Sequence, residues 1–276
     1  MNLNSLNPNK EYKIRLSDVK MPGEEDMIIT LLIPTRKRPD IMQRIWNSAN
    51  ETASSPISLQ ISFFIDADDR ESIAKLSLMM SRERDKYPDS KRITGVVHKR
   101  LLIGSDMWNH AYRGSEVTGD IVFYGCDNAV FKTKGWDETI REEFRKVPDR
   151  ILYVHGKDGV RKDDLGTMGF IHRNWINAVG FVTPPYFIFY KADRWLTDTA
   201  KKIGRDVYRE DILIEHTHYA DKTANDETCH ERNDMFKGGA DYTLNKYDVY
   251  DNRITSRKDE LPASVLLTRF IQDYYR

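Results

Sequence analysis

Two apolar runs in this chain end on groups able to bind a cation. The run Ile121-Val122-Phe123-Tyr124 leads through Gly125 and Cys126 to Asp127, and Ile212-Leu213-Ile214 leads to Glu215, His216, Thr217 and His218. A carboxylate is a hard donor and imidazole a borderline one, so Asp127 with His216 or His218 could hold Mn²⁺ or Mg²⁺. The histidines stand two apart, and in an extended chain both rings fall on one side. A β-branched and aromatic run ending in Asp is how an open α/β sheet delivers carboxylates to the crevice at the carboxyl ends of its strands. A cation there would neutralise a diphosphate. Plainer readings stand beside this one: Asp127 as the cap of the following turn, and the histidines as surface or satisfied core groups.

Other polar sets also follow apolar runs. The run from Met27 to Ile33 stops at Pro34-Thr35-Arg36-Lys37-Arg38-Pro39, which puts backbone donors and cations at a helix start. Phosphate oxygens or a ribose suit such a loop, although an ordinary charged turn has the same composition. The run Leu59 to Ile65 stops at Asp66, with Asp68 and Asp69 beyond it. Ionised carboxylates only accept, so Asp66 and Asp68 could take a base N–H and a ribose hydroxyl, while Asp69 reads equally as a helix cap. Trp108 and Asn109, after Gly104, are either packing residues or groups at a close approach to a ligand. His172, Arg173, Trp175, Tyr186 and Phe187 make an aromatic and basic segment able to stack a base or a sugar ring. Lys99, Arg100, Lys132, Lys134, Arg161 and Lys162 form a phosphate-binding rim or simply scattered solvated charges.

The elements that must position these groups alternate. Strands are expected over 27–33, 59–65, 94–98 and 120–124. Between them, helices are expected from Asp40, which can cap one carrying Ile41, Met42, Ile45 and Trp46, through Ile73, Leu76 and Met79, and from about Ser105 to Arg113. This β-α-β-α order predicts a doubly wound α/β half with its polar loops after the strands. A helix from Asp137, a strand at 151–155, a helix from Ala192 to Ile203 closing at Gly204, and a strand ending at His218 follow. Residues 166–190 read as a segment covering the crevice, 219–237 as a polar lid, and 264–275 as a final amphipathic helix. The domain reading is an extension over 1–26, one α/β domain over 27–235, and a C-terminal extension with its helix over 236–276.

Lys plus Arg and Asp plus Glu both total 43, so no global field draws the chain to nucleic acid or anionic lipid. Two cysteines, Cys126 and Cys229, are too few for a disulfide framework and suit a reducing compartment. No apolar run approaches the roughly 20 residues of a membrane span, and no leader is evident, so a soluble, cytoplasmic protein with no membrane partner is expected.

Taken in order, the motifs resemble family-2-type glycosyltransferases with a GT-A fold, and among them small phage members that decorate modified DNA bases. The resemblance rests on Ile33-Pro34-Thr35-Arg36, on Asp66 and Asp68, on Gly104 with Asn109, on Gly119-Asp120-Ile121-Val122 leading to Asp127, and on Glu215-His216-Thr217-His218. It implies a mixed, mainly parallel sheet flanked by helices and a UDP-sugar donor, UDP-glucose first. It places Pro34, Thr35, Arg36, Asp66, Asp68, Gly104, Asn109, Cys126 and Asp127 on that donor, and Mn²⁺ or Mg²⁺ on Asp127 with a histidine, His218 preferred over His216. Inverting transfer then needs a base, for which Asp193 is the matching residue and Asp211 the fallback. The implied acceptor is a 5-hydroxymethylated pyrimidine in DNA, bound by His172, Arg173, Trp175 and Tyr186. A glycan or small-molecule acceptor and a non-catalytic nucleotide-sugar-binding protein are the alternatives. The family usually carries a DxD pair where this chain has Gly125-Cys126-Asp127.

Overall fold

Alternation along the first strand, β1 (Ile29–Thr35), sets the architecture. Ile29, Leu31 and Ile33 join one apolar cluster and Leu32 the other, and all are fully buried, as a strand covered on both faces requires. After β1 come α1 (Pro39–Thr52), β2 (Leu59–Asp66), α2 (Arg70–Lys86), β3 (Ile93–His98), α3 (Asp106–Gly114) and β4 (Ile121–Tyr124). The second half runs β5 (Ala129–Phe131), α4 (Trp136–Arg145), β6 (Tyr153–Lys157), β7 (Gly169–His172) and α5 (Arg173–Val179), then α6 (Ala192–Lys202), β8 (Asp206–His216) and α7 (Ala263–Tyr274). The computed structural model describes residues 27–101, 104–117, 119–161, 163–185, 187, 191–217 and 263–276. The expected lid over 219–237, and with it His218, lies outside the described residues, as do Lys162, Tyr186, Phe189 and Tyr190.

The strands form one sheet in the order β3-β2-β1-β4-β7-β6-β8-β5. Parallel pairing joins β1 to β2 and to β4, β2 to β3, and β6 to β8. β7 runs antiparallel to both β4 and β6, and β5 antiparallel to β8. One face carries α1 and α4, through Met42, Ile45, Trp136, Ile140 and Phe144. Trp175, Trp195, Leu196 and Leu267 cover the other face from α5, α6 and α7. Fully burying one such aliphatic or aromatic side chain contributes about 1.5–3 kcal/mol, so both faces hold the sheet rigid beneath its loops.

Three expectations need correction. The helix after β1 starts at Pro39, whose fixed φ suits a first helical position, so Asp40 sits in the first turn and does not cap it. Residues 169–172, expected to cover the crevice, are the fully buried strand β7 inside the sheet. Four residues are too few to show a period, and the strand is recognisable only from its partners on both sides. The last strand begins at Asp206, six residues before the apolar run that signalled it, because its first half is half-buried and polar.

Candidate active site at the carboxyl edge of the sheet

The strand order reverses at β1, which has β2 on one side and β4 on the other. Such a switch point opens a crevice beyond the carboxyl ends of the strands. The segment from Pro34 at the end of β1 to Pro39 at the start of α1 crosses it. Thr35 Oγ1 donates to Asp127 Oδ2 at 2.8 Å, and Arg38 Nη1 donates to Asp127 Oδ1 at 3.0 Å, closing β1 onto the end of β4. On the other side Arg36 Nη1 donates to Asp66 Oδ2 at 3.0 Å and to Asp68 Oδ1 at 2.6 Å, while its Nη2 reaches Asp68 Oδ2 at 2.9 Å. The Lys37 N–H donates to Asp69, whose other oxygen caps α2 by accepting from the Ser72 N–H. Lys37 has φ 54, a left-handed conformation that costs a non-glycine residue energy and that these flanking bonds maintain.

Burial differs among these carboxylates. Asp66 is 6% exposed, and burial raises its pKa against the attraction of Arg36 and Arg100. Asp68 stands in solvent, where the hydrogen bond from Arg36 holds it down to about 2. Asp127 is 5% exposed between its two donors.

The two strand ends singled out by their chemistry meet. Ala129 pairs with His216 in the β5–β8 ladder. Asn128 Nδ2 donates to the Thr217 carbonyl at 2.6 Å, and the Thr217 N–H donates to the Asn128 carbonyl at 3.3 Å. Asn128 Oδ1 is buried and accepts no hydrogen bond, an orphaned hard oxygen one residue from Asp127. His216 is half-buried, and its N–H donates to the Asp158 carbonyl.

Cys126 and Gly125 offer no second anion. The Cys126 thiol donates to the Met168 thioether at 3.3 Å, and burial pushes its pKa far up, so it stays a thiol. A Cβ at Gly125 would lie 2.0 Å from Phe123 Cε1, in a ring packed against Phe131 and Phe170. Side-chain space for a first carboxylate of a DxD pair is therefore filled by the core. Among the described residues no three or more His, Cys, Asp or Glu side chains gather as a metal cage. One carboxylate and an amide oxygen fit a cation whose remaining ligands are phosphate oxygens and water.

Asp193 lies in the first turn of α6, where its Oδ1 accepts from the Arg194 N–H at 2.7 Å. Burial raises its pKa, and its charge is felt by Tyr124 at the end of β4. Trp108 marks the wall between α3 and this strand end: its Nε1–H donates to the Gly125 carbonyl at 2.8 Å, and its ring lies 4.6 Å from that of Tyr124. No local pattern distinguished Trp108 from a packing residue, and none linked Arg38 to an Asp 89 positions away.

Several expected site residues lie elsewhere or are fully engaged. Asn109 donates to Asp106 Oδ1 and to the Thr183 carbonyl, and its oxygen accepts from the Val182 and Thr183 N–H groups. Its amide pins residues 182–183 onto α3 and has no bonding position left for a donor sugar. Gly104 is buried just before α3. His172 pairs with Ile121 at the start of β4, the opposite end from Asp127, and its Nδ1 caps α5 by accepting from the Asn174 N–H. Burial and two nearby arginines lower the His172 pKa to about 3. Arg173 serves that same end, donating to the Gly119 carbonyl at 2.8 Å. Trp175 is 0% exposed and so presents no face to a base or sugar. Asp211 is exposed and gripped through both oxygens by Arg209, whose hydrogen bonds lower its pKa, which leaves it a poor base.

No protein-family model and no curated sequence matches the chain. Solved structures do. A mannosyltransferase from Pyrobaculum calidifontis in complex with GDP-Man and Mn²⁺ superposes with TM-score 0.52 at 16% identity, covering 70% of this chain and 57% of the other. GalNAc-T7 with UDP, GalNAc and Mn²⁺ gives 0.53 at 11% identity, over 70% of this chain and 44% of the other. TarS residues 1–349 from S. aureus in complex with UDP gives 0.50 at 12% identity, over 68% and 59%. The fold is GT-A. This chain spans little more than half the length of the mannosyltransferase it matches, at 57%. No helix among the described residues is long and apolar enough to cross a membrane.

Proposed function

We propose that this chain is a glycosyltransferase that moves a sugar from a nucleoside diphosphate donor, UDP-glucose being the first to test, to an acceptor hydroxyl with inversion. The observation that carries the reading is the convergence of Thr35, Arg36 and Arg38 with Asp66, Asp68 and Asp127 from three strand ends at one switch point. Asp66 and Asp68, tied together by Arg36, offer acceptors to the nucleoside, and Thr35 and Arg38 face the diphosphate. Asp127 is the residue for Mn²⁺ or Mg²⁺, with Asn128 Oδ1 and His216 as neighbours and His218 beyond them in sequence. When bound, that cation would stabilise charge on the departing diphosphate.

Asp193 takes the acceptor proton. As the acceptor oxygen forms its bond to the anomeric carbon, the bond from that carbon to the diphosphate oxygen breaks and its electron pair leaves with UDP. The proton of the acceptor hydroxyl passes to Asp193 Oδ, and attack opposite the leaving group inverts the carbon. Burial favours this assignment, because a carboxylate with a raised pKa is a stronger base. Trp108 walls the crevice beside Tyr124 and offers a face for a ring-shaped acceptor. The ordered sequence motifs suggest the 5-hydroxymethyl group of a pyrimidine in DNA as that acceptor, with glycans and small-molecule alcohols as competitors.

Incubating UDP- and GDP-sugars with Mn²⁺ and each acceptor, and weighing the products by mass spectrometry, tests the reading. A mass gain of one sugar on one acceptor class, with release of the nucleoside diphosphate, is expected. Tight UDP binding with no turnover on any acceptor would make the chain a nucleotide-sugar-binding protein instead, a reading that the closed space at Gly125 favours.

A further inference from the structure

Arg38 stands in the loop that meets the donor, yet it is paired with the carboxylate proposed for the cation. Its Nη1 lies 3.0 Å from Asp127 Oδ1, and the Thr35 hydroxyl occupies the other oxygen at 2.8 Å. The two side chains are only 17% and 8% exposed, so salt and water screen their attraction little. A lone divalent ion arriving here meets the positive charge of a guanidinium already in place and would gain a single carboxylate. Gly125 cannot supply another without moving Phe123, and Cys126 is a thiol bonded to Met168. A nucleoside diphosphate alters this balance, since its oxygens can both ligate a cation and accept from a planar guanidinium fork. Arg36 is placed differently: it ties Asp66 to Asp68 across the loop, on the nucleoside side of the crevice.

We propose that Arg38 is the protein's own cation for the donor diphosphate, kept on Asp127 until the donor arrives and passed to phosphate oxygens when Asp127 turns to a divalent ion. The proposal rests on the nucleotide-sugar reading above. It makes Arg38 a guard against cation binding in the free protein and a contact for phosphate in the loaded one, so metal and nucleotide affinities are coupled through one side chain.

Mn²⁺ titrations followed by the electron paramagnetic resonance signal of the free ion, with and without UDP, test it without any measurement of transfer. Wild type should bind Mn²⁺ alone weakly and bind it about 5–150-fold more tightly with UDP, the range of an ordinary coupling between two sites. Arg38→Gln should tighten Mn²⁺ binding to the free protein by about tenfold and weaken UDP binding in the presence of Mn²⁺ by at least as much, within that same range. A merely structural role would weaken both or change neither, and either result overturns the proposal. Arg38→Lys, which keeps the charge but loses the fork, should leave Mn²⁺ binding weak and lower UDP affinity. If Arg38→Gln does not fold, unchanged UDP affinity in Arg38→Lys overturns the proposal equally. A wild-type protein that binds neither UDP nor GDP with Mn²⁺ would remove the nucleotide-sugar reading and this inference together, whereas normal UDP binding with an inert Arg38 would remove the inference alone.

Discussion

The two ends of β4 are built from similar residues and do different work. At the carboxyl end Asp127 meets Thr35 at the end of β1 and Arg38 from the loop after it, Asp193 lies within electrostatic reach of Tyr124, and Trp108 borders the crevice. At the amino end Asp120 faces Arg173 at 3.6 Å, His172 caps α5, and Trp175 is sealed in the core. Both ends show an acid beside an arginine and an aromatic ring. The difference is direction: parallel strands send all their carboxyl-end loops to one edge, where loops from β1, β2 and β4 can converge on one ligand. At the other edge His172 and Trp175 serve capping and packing, and Arg173 ties the start of α5 to the approach to β4.

The largest expected effect that tests this contrast is at the carboxyl end. Asp193→Asn should lower transfer by about 10²- to 10⁴-fold, the usual contribution of a positioned base, while UDP affinity measured by calorimetry stays near wild type. Lost UDP binding would place Asp193 on the donor and dissolve its assignment as base. At the amino end Trp175→Ala should cost about 3–5 kcal/mol in urea denaturation, as a buried indole replaced by a cavity does, with the acceptor KM of the folded protein unchanged. A raised acceptor KM with intact stability would return Trp175 to the acceptor site.

A smaller effect separates the ends by pH. His172 stays neutral in the fold down to about pH 3, whereas in the unfolded chain it takes up a proton below about 6.5. Between those values the unfolded state binds more protons, so stability falls as pH drops through that window, by at most about 1.4 kcal/mol per pH unit from this group. His172→Asn keeps a side-chain acceptor for the cap and removes the titration, and should flatten that part of the stability profile. An unchanged slope would show that His172 is protonated in the fold and hence open to water.

The carboxyl end was legible in the chain because each of its parts is a local pattern. An apolar run that stops at Pro34-Thr35-Arg36, another that stops at Asp66 and a third that leads to Asp127 each announce a strand and its loop without reference to the rest of the molecule. The place of Asp193 in the first turn of a helix was legible in the same way, while its role as base came only from the family resemblance. His172, Arg173 and Trp175 misled for a physical reason: stacking platforms and buried caps use the same residue types, and only the direction of the strand before them tells which is present. β7 runs antiparallel to β4, which carries its last residue to the amino edge. Asn109 misled because an amide offered to a ligand and an amide saturated by backbone groups look identical until the segment at 182–183 is laid against it.

By itself the sequence determined the alternation of strands and helices, the doubly wound first half, and the acids and cations delivered after β1, β2 and β4, because these follow from hydrophobic period and chain order. Tertiary structure alone decided which of those charges meet. The pairing of Arg38 with Asp127, the filling of the space at Gly125 by Phe123, and the meeting of Asn128 with Thr217 join residues far apart in the chain. Such contacts depend on strand order and register, which no local stretch of residues encodes.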